Sequence, residues 1–348
     1  MGRRRTAVSA PTLSEVAQHA GVSLATASRA INGSQTRVVG EELRARVLES
    51  ARLLGYAPDA NAQAMARGTT RAVGVVVHDL TDPYFAAVAD AMSRAATERD
   101  LFLTLATTGN NVDHLAEVVT QLDTLRVRAI VLVGGRWKAD RPTEDLLNAI
   151  ERYRSRGGRV VSIGMEVPGV DGVSVDNADG ARQLAAHLRR LGYRRPLVLS
   201  GPELHSTAVA RSTAFVTALE AEGIAVDPAH LISSDFTRTG GAIAMRMALE
   251  AGVDVDVAIA MNDVMALGAM AEARANGVAV PQELAFTGFG DIPSLQDVIP
   301  SLTTVHIPSS SLATLALNLA LDGPGDGTGD VTVPVMLVAR DSTPERAG

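Results

Sequence analysis

Residues 12–32 read TLSEVAQHAGVSLATASRAIN, two short helical patterns on either side of a glycine. Leu13, Val16, Ala17 and Ala20 recur at helical spacing, and Thr12 or Ser14 stands where a side-chain oxygen is needed to take up the first unpaired amides. Gly21 ends that helix, Val22 can fill the corner, and Ser23 can cap a second helix with Thr26, Ser28 and Arg29 on its polar side. Two helices joined by a tight glycine turn make the layout of a helix-turn-helix, whose second helix enters the major groove of DNA. Many helical hairpins share this pattern, so the flanking sequence has to decide.

Downstream, Glu42, Leu43, Arg44, Val47, Leu48, Ala51 and Leu54 form a third helical pattern that closes a small three-helix core. It stops at Gly55-Tyr56-Ala57-Pro58, where Pro58 biases Ala57 out of the helical region. An Ala-rich stretch, PDANAQAMARG (58–68), follows with no apolar stripe wide enough to make a core. The order SxxTxSRxxNG (Ser23 to Gly33), then LGYxPDxxAQxMARG (Leu54 to Gly68), resembles the LacI/GalR family of transcriptional regulators. The resemblance runs from Thr12 to about Thr343.

Composition fits a DNA-touching head on an acidic body. The chain has 348 residues and a net charge of −7, but residues 1–71 hold 10 arginines and no lysine against 5 acidic residues, a net of +5. The remainder carries 22 basic and 34 acidic side chains, a net of −12. Such a split suits a protein that meets phosphates with one end only. At 46% hydrophobic residues and a mean hydropathy of +0.13 the chain can bury substantial cores, and with 3% aromatics these must be built from Ala, Val, Leu and Ile. Cysteine is absent, which excludes disulfides, thiolate metal sites and a cysteine nucleophile. The opening arginine cluster has no apolar run after it, and no stretch approaches the roughly 18 apolar residues of a membrane span. The expectation is a cytoplasmic protein with no membrane partner.

From Arg71 onward, short apolar runs alternate with amphipathic helical segments: VGVVV (73–77), LFLTLA (101–106), AIVLV (129–133), RVVSIG (159–164) and VSVD (173–176), with helices between. The alternation resumes with PLVLSG (196–201), DVAIAMN (256–262) and LAFTGFG (284–290). This indicates an α/β body with two parallel sheets wound on both faces. The family resemblance implies a periplasmic-binding-protein-like core of two doubly wound parallel-sheet subdomains behind a three-helix head and a hinge helix. The expected domains are a head at 1–57, with 1–11 disordered, a hinge at 58–70 and a core at 71–343. One subdomain would take 71–191 and 308–321, the other 192–307 and 322–343, with three strand crossovers between them.

The second helix offers Arg29, which can donate two hydrogen bonds to guanine. Leu24 and Ala25 occupy its start, where the resemblance places the residues that set operator preference; they can touch thymine methyls but cannot read a base by paired hydrogen bonds. Thr12, Ser23, Thr26, Ser28 and Asn32 are phosphate contacts or helix caps. The resemblance further implies DNA contacts from Asn61, Ala62 and Met65 in a hinge helix at Asp59–Arg67. That segment is too short to be stable alone, and Met65 stands where most members wedge a leucine into the minor groove. Because the chain ends at STPERAG without a leucine heptad, a homodimer on a palindromic operator is expected.

Ligand groups in parallel α/β folds sit at the carboxyl ends of strands. Scanning those ends gives His78-Asp79 with Asp82, Tyr84 and Phe85; Gly135 to Trp137; Asp176-Asn177; Arg211; Asn262-Asp263; and Phe289 to Asp291. The resemblance aligns Asp176, Arg211 and Asn262 with polar residues that hold an effector, while Tyr84, Phe85, Trp137 and Phe289 can wall a sugar face. Asn262 or Asp263, and Asp176 or Asn177, can equally be helix caps. Members of the family commonly read G-[YF]-D-D where this chain reads Gly288-Phe289-Gly290-Asp291, so a ligand-binding carboxylate is missing. That widens the expected effector from a neutral sugar to a sugar acid, a sugar phosphate or a non-sugar metabolite; binding of a neutral hexose would mean that Asp291 or another residue replaces the missing carboxylate. Inducer and corepressor roles both remain open. No catalytic residue, metal site or cofactor is expected, since GxG at 288–290 is only a fragment of a dinucleotide fingerprint and the histidines form no metal-spaced pair. A solute-binding protein of a transport or sensing system would share the body but lack the head.

Overall fold

The computed structural model describes residues 11–32, 39–57, 70–109, 113–135, 143–325 and 327–346. Contacts divide the chain into two units, residues 1–70 and 71–348.

The first unit contains three helices, α1 (Leu13–His19), α2 (Leu24–Asn32) and α3 (Glu41–Leu54). Of the two possible caps for α1 it is Thr12 that serves: its hydroxyl accepts from the Glu15 amide at 3.3 Å while the Glu15 carboxylate takes the Thr12 amide at 2.6 Å, a capping box. Gly21 turns the chain at φ +65°, and the Ser23 hydroxyl accepts from the Thr26 amide at 3.1 Å to start α2. Val16, Ala17, Ala20, Ala27, Ala30, Val47 and Ala51 make the core. The apolar pattern of α3 is wider than its buried face, for Leu43 and Leu48 are 38% and 44% exposed. Gly55, at φ +66°, ends α3 in the left-handed conformation that a β-carbon disfavours. The expected hinge helix, with Asn61, Ala62 and Met65, lies outside the described residues.

The second unit has two lobes. The larger is built on a six-stranded parallel sheet of β1 (Ala72–Val77), β2 (Phe102–Thr107), β3 (Ala129–Val133), β4 (Arg159–Ile163), β5 (Asp171–Val175) and β11 (Val331–Val333), in the order β11-β5-β4-β3-β1-β2. Its helices are α4 (Pro83–Thr97), α5 (Asp113–Thr124), α6 (Glu144–Ser155) and α11 (Ser309–Asp322). Alternate residues of β1 serve opposite faces: Val73, Val75 and Val77 pack toward α4 and α11, while Ala72 and Val76 pack toward α5 and α6. Burial of each such valine contributes about 2 kcal/mol. A β-carbon on Gly74 would stand 2.8 Å from Leu122 Cδ1, so glycine lets the Leu122 side chain lie directly on the strand.

The smaller lobe has a parallel sheet in the order β7-β6-β8-β9, from β6 (Pro196–Ser200), β7 (Leu231–Ser233), β8 (Val257–Ala260) and β9 (Ala285–Thr287). Helices α7 (Asn177–Arg190) and α8 (Ser206–Ala221) cover one face, α9 (Arg238–Glu250) and α10 (Asp263–Ala275) the other. An antiparallel pair, β10 (Thr304–His306) and β12 (Met336–Val338), lies beside them through a bridge from His306 to Gly290.

The chain passes from the smaller lobe to the larger between His306 and Ser309, as expected, but the other two crossovers fall at different points from those expected. Helix α7 packs on α8, β10 and β12, so the chain leaves the larger lobe at Asp176 rather than near Gly192. Strand β11 pairs with β5, so it returns to the smaller lobe between Val333 and Met336 rather than near Leu321. The reason is a carboxylate: Asp171, fully buried, accepts from the amides of Gly325, Gly327 and Gly329 at 2.8, 2.9 and 3.0 Å, pinning the glycine-rich segment that feeds β11 into the larger sheet.

Candidate functional site

On the head, α2 leaves Leu24 53% exposed with Ala25 beside it, and carries no acidic residue in its first turn. Arg29 is half-buried on the same helix. The hydroxyls are partly committed to the fold: Ser23 and Thr26 bond each other at 2.8 Å, and the Asn32 amide donates to the Ser28 hydroxyl at 3.3 Å. Thr12 is held by its capping box.

In the body, the carboxyl ends of both sheets face a cleft of about 1220 Å³. One wall comes from the loop after β1 and the start of α4. Asp82 caps α4 by accepting from the Tyr84 amide at 2.9 Å, which leaves Tyr84 and Phe85 on the first turn facing the cleft. Burial raises the Asp82 carboxyl above its ordinary range, and burial raises the Tyr84 phenol likewise. Tyr84 meets Phe85 edge-on at 5.2 Å, and Phe85 meets His78 at 5.7 Å. The His78 ring bonds the Gly135 carbonyl at 3.0 Å.

The opposite wall is organised around Arg211 on α8, only 7% exposed. Its Nε donates to Asn177 Oδ1 at 2.9 Å, its Nη1 donates to the Met261 carbonyl at 2.8 Å, and its guanidinium lies 4.1 Å over the Phe289 ring. Burial lowers its pKa to about 10, still far above neutrality, with Tyr84, Asp263 and Asp82 opposing the shift. Asn262 caps α10 through the Met265 amide at 2.9 Å and donates to the Phe236 carbonyl at 3.0 Å. Asp263 beside it is 1% exposed; its carboxylate accepts from the Thr304 hydroxyl at 2.6 Å and the Ile292 amide at 3.0 Å, and burial raises its pKa to about 6.

Two expected residues are elsewhere. Asp176 caps α7 through the Asp179 amide at 2.9 Å and does not line the cleft; Asn177, one position on, takes its place there. Asp291 adopts φ +61°, which turns its carboxylate away from the cleft to Arg340 at 2.6 Å and His306 at 2.9 Å. It is therefore not the substitute carboxylate. Gly290 explains why: at φ +142° its missing β-carbon would lie 2.8 Å from Asp263 Oδ2, so the Asp263 carboxylate already occupies the space that a side chain at 290 would need. Trp137 falls outside the described residues.

His205 and Phe236 also line the cleft, and sequence reasoning passed over both. His205 caps α8 with its ring nitrogen, accepting from the Ala208 amide at 3.4 Å, and burial beside His78 and Arg211 lowers its pKa to about 4. It follows the carboxyl end of β6, so the strand-end rule could have found it. Phe236 follows β7, a strand of three residues with no readable pattern of its own.

Among the described residues no group of side chains could hold a metal ion, and no helix is long and apolar enough to cross a membrane. Two family models match the chain: bacterial regulatory proteins of the lacI family over residues 12–59, and the periplasmic binding proteins and sugar binding domain of the LacI family over residues 70–323. The transcriptional regulator GalS of Salmonella typhimurium is 32% identical over 323 residues, 92% of each chain. The regulator CelR of Thermobifida fusca is 31% identical over 343 residues, 97% of each chain. Among solved structures, a CelR–cellobiose complex superimposes with a TM-score of 0.68 at 28% identity, covering 95% of this chain and 99% of that one. A lac repressor dimer bound to operator and an anti-inducer superimposes with a TM-score of 0.82 at 23% identity, covering 96% and 99%, a likeness of fold.

Proposed function

The chain belongs to the LacI family of bacterial regulatory proteins and is a DNA-binding transcriptional regulator, and from that premise we propose that it is a repressor which binds a palindromic operator as a homodimer and responds to a small, neutral, hydroxyl-rich effector in the cleft. It acts in the cytoplasm, where operator DNA is found, and as a regulator rather than an enzyme. Leu24, Ala25 and Arg29 read the operator, with Thr12, Ser23, Thr26, Ser28 and Asn32 at the backbone and Asn61, Ala62 and Met65 in the minor groove. Effector binding favours one orientation of the two lobes, and the resulting change in spacing of the paired segments at 59–67 alters operator affinity. Whichever state the effector binds more tightly decides between induction and corepression.

The observation that carries the effector class is the charge of the cleft. Among the described residues that line it, six carboxylates stand against two arginines, Arg211 and Arg238, so a sugar acid or sugar phosphate enters against like charge. Arg211 has also committed Nε to Asn177, which denies an anion the two-pronged fork along that edge. The N–H donors that remain on Nη1 and Nη2, together with the Asp263 carboxylate that lines the cleft, suit hydroxyls, which both give and accept. The absence of a side chain at 290 does not strip the pocket of acceptors, because Asp263 lines it there.

A thermal-shift screen of the full-length protein against cellobiose, ribose and other neutral sugars, sugar acids, sugar phosphates and nucleobases tests this. A neutral sugar should stabilise the protein with the concentration dependence of mass action. Stabilisation by sugar phosphates or sugar acids alone would overturn the assignment. On the DNA side, Arg29→Ala should weaken binding to a duplex selected from a random pool by about tenfold or more while leaving bulk, salt-dependent binding nearly intact. Equal losses would reassign Arg29 to a phosphate.

A further inference from the structure

We propose that Asn177 is a positioning residue for the effector-reading guanidinium of Arg211, an inference that rests on Arg211 being an effector contact. Three groups fix that guanidinium. Met261 gives a backbone carbonyl from the end of β8, Phe289 gives a ring face, and Asn177 gives the side-chain oxygen that receives Nε at 2.9 Å. Only Nη2 is left without a hydrogen bond among the described residues. A planar guanidinium held at Nε and Nη1 has no rotation remaining, so Asn177 decides where Nη2 points.

The place of Asn177 in the chain gives this a consequence. It is the first residue of α7, directly after Asp176, where the chain passes between lobes. The Asp176 amide donates to the Val333 carbonyl at 3.0 Å, so the first and last crossovers are bonded to each other one residue from the Arg211 contact. Three residues along, α7 lies so close to Phe289 and Val305 that a β-carbon on Gly180 would meet each at 2.9 Å. The start of α7, the crossover and the stacked pair Phe289–Arg211 are therefore packed and bonded to one another. Asn177 is spare for helix formation, since Asp176 is the cap. It can be changed without removing that cap.

The test uses the full-length protein labelled with nitrogen-15, with no ligand. The Nε–H resonance of Arg211 is identified by its loss in Arg211→Lys. In the wild type it should be resolved and slow to exchange with water, as a buried donor at 2.9 Å requires. Asn177→Ala should speed its exchange by about tenfold or more, the worth of one hydrogen bond to a charged donor. Asn177→Asp, which keeps an acceptor and places an acid at a helix start, should restore protection to within about threefold of the wild type. A purely structural role predicts that exchange at this one site follows the global stability of each variant, and unchanged exchange in Asn177→Ala would overturn the positioning role. The effector reading fails separately: if Arg211→Lys leaves every stabilisation in the sugar screen unchanged, Arg211 is no effector contact, whatever the exchange result.

Discussion

The two walls of the cleft are built on opposite plans. On the side of α4, Asp82 spends one bond on its own helix, and the Tyr84 hydroxyl makes no hydrogen bond among the described residues. On the side of α8 and α10, Arg211 and Asp263 each make two hydrogen bonds to groups far away in sequence, and Asn262 adds to its helix cap a bond to the Phe236 carbonyl, 26 positions away. The first wall offers open valences on a surface that can adjust. The second is preorganised, so a ligand there meets groups whose ordering cost was met during folding. The difference predicts that substitutions on the second wall disturb both stability and binding, and that loss of the Tyr84 hydroxyl on the first wall disturbs binding alone.

The largest effect should follow from Arg211→Met, which keeps volume and removes the guanidinium. It leaves the Asn177 oxygen and the Met261 carbonyl buried without their donor and takes away the one buried cation among the described residues of the cleft. The Kd for the stabilising sugar should rise by about 100-fold or more, and the protein should lose about 2 kcal/mol of stability. Isothermal titration beside chemical denaturation measures both. A variant that binds normally would erase the contrast between the walls.

Next comes the pH dependence set by Asp263. Its pKa of about 6 lies above the ordinary carboxylate value, so the folded protein binds its proton more tightly than the unfolded chain. The contribution is fully present below the unfolded value of 3.8 and is lost as pH rises through about 6. The gap corresponds to about 3 kcal/mol. His205 works in the opposite direction: with its pKa lowered from 6.5 to about 4, it withdraws stability as pH falls through that same interval. The two partly cancel in the wild type, so the informative quantity is a difference. Relative to Asp263→Asn, the wild type should gain stability steadily between pH 7 and pH 4. Denaturation curves that stay parallel over that range would mean the carboxylate is ionised throughout.

How much of this was legible in the sequence follows from how local each feature is. The helices of the head and most strands of the body announce themselves through periods of 3.6 and 2, and β3 falls at 129–133, where its apolar run stands. Strands β7, β10, β11 and β12 do not, because three residues carry no period. The lobe boundaries were misjudged for a related reason. Helix α7 continues the alternation of the first lobe without a break, and only its packing against α8 shows which lobe owns it. Within the site, Arg211 stands out as a cation in a helix otherwise free of basic residues, STAVARSTAFVTALEA. Its partner Asn177 lies 34 positions away, and nothing in the chain between them marks the pairing. The direction of Asp291 was not legible because it depends on the residue's own left-handed backbone, at φ +61°, and on partners at 306 and 340.

The smallest expected effect is the sharpest test of the first wall. Tyr84→Phe removes one oxygen and no buried hydrogen bond among the described residues, and the ring contact with Phe85 at 5.2 Å survives. Thermal stability without ligand should therefore be unchanged within a few tenths of a kcal/mol. If the hydroxyl meets the effector, affinity should fall by about three- to tenfold, the net value of one neutral hydrogen bond. A loss of stability in the absence of ligand would show that Tyr84 is tied into the fold in the way Arg211 is, and the two walls would then share one plan. Unchanged stability with unchanged affinity would mean that the effector seats wholly against α8 and α10 and that α4 contributes shape alone. Only a loss confined to binding preserves the division of labour that the hydrogen-bond pattern implies.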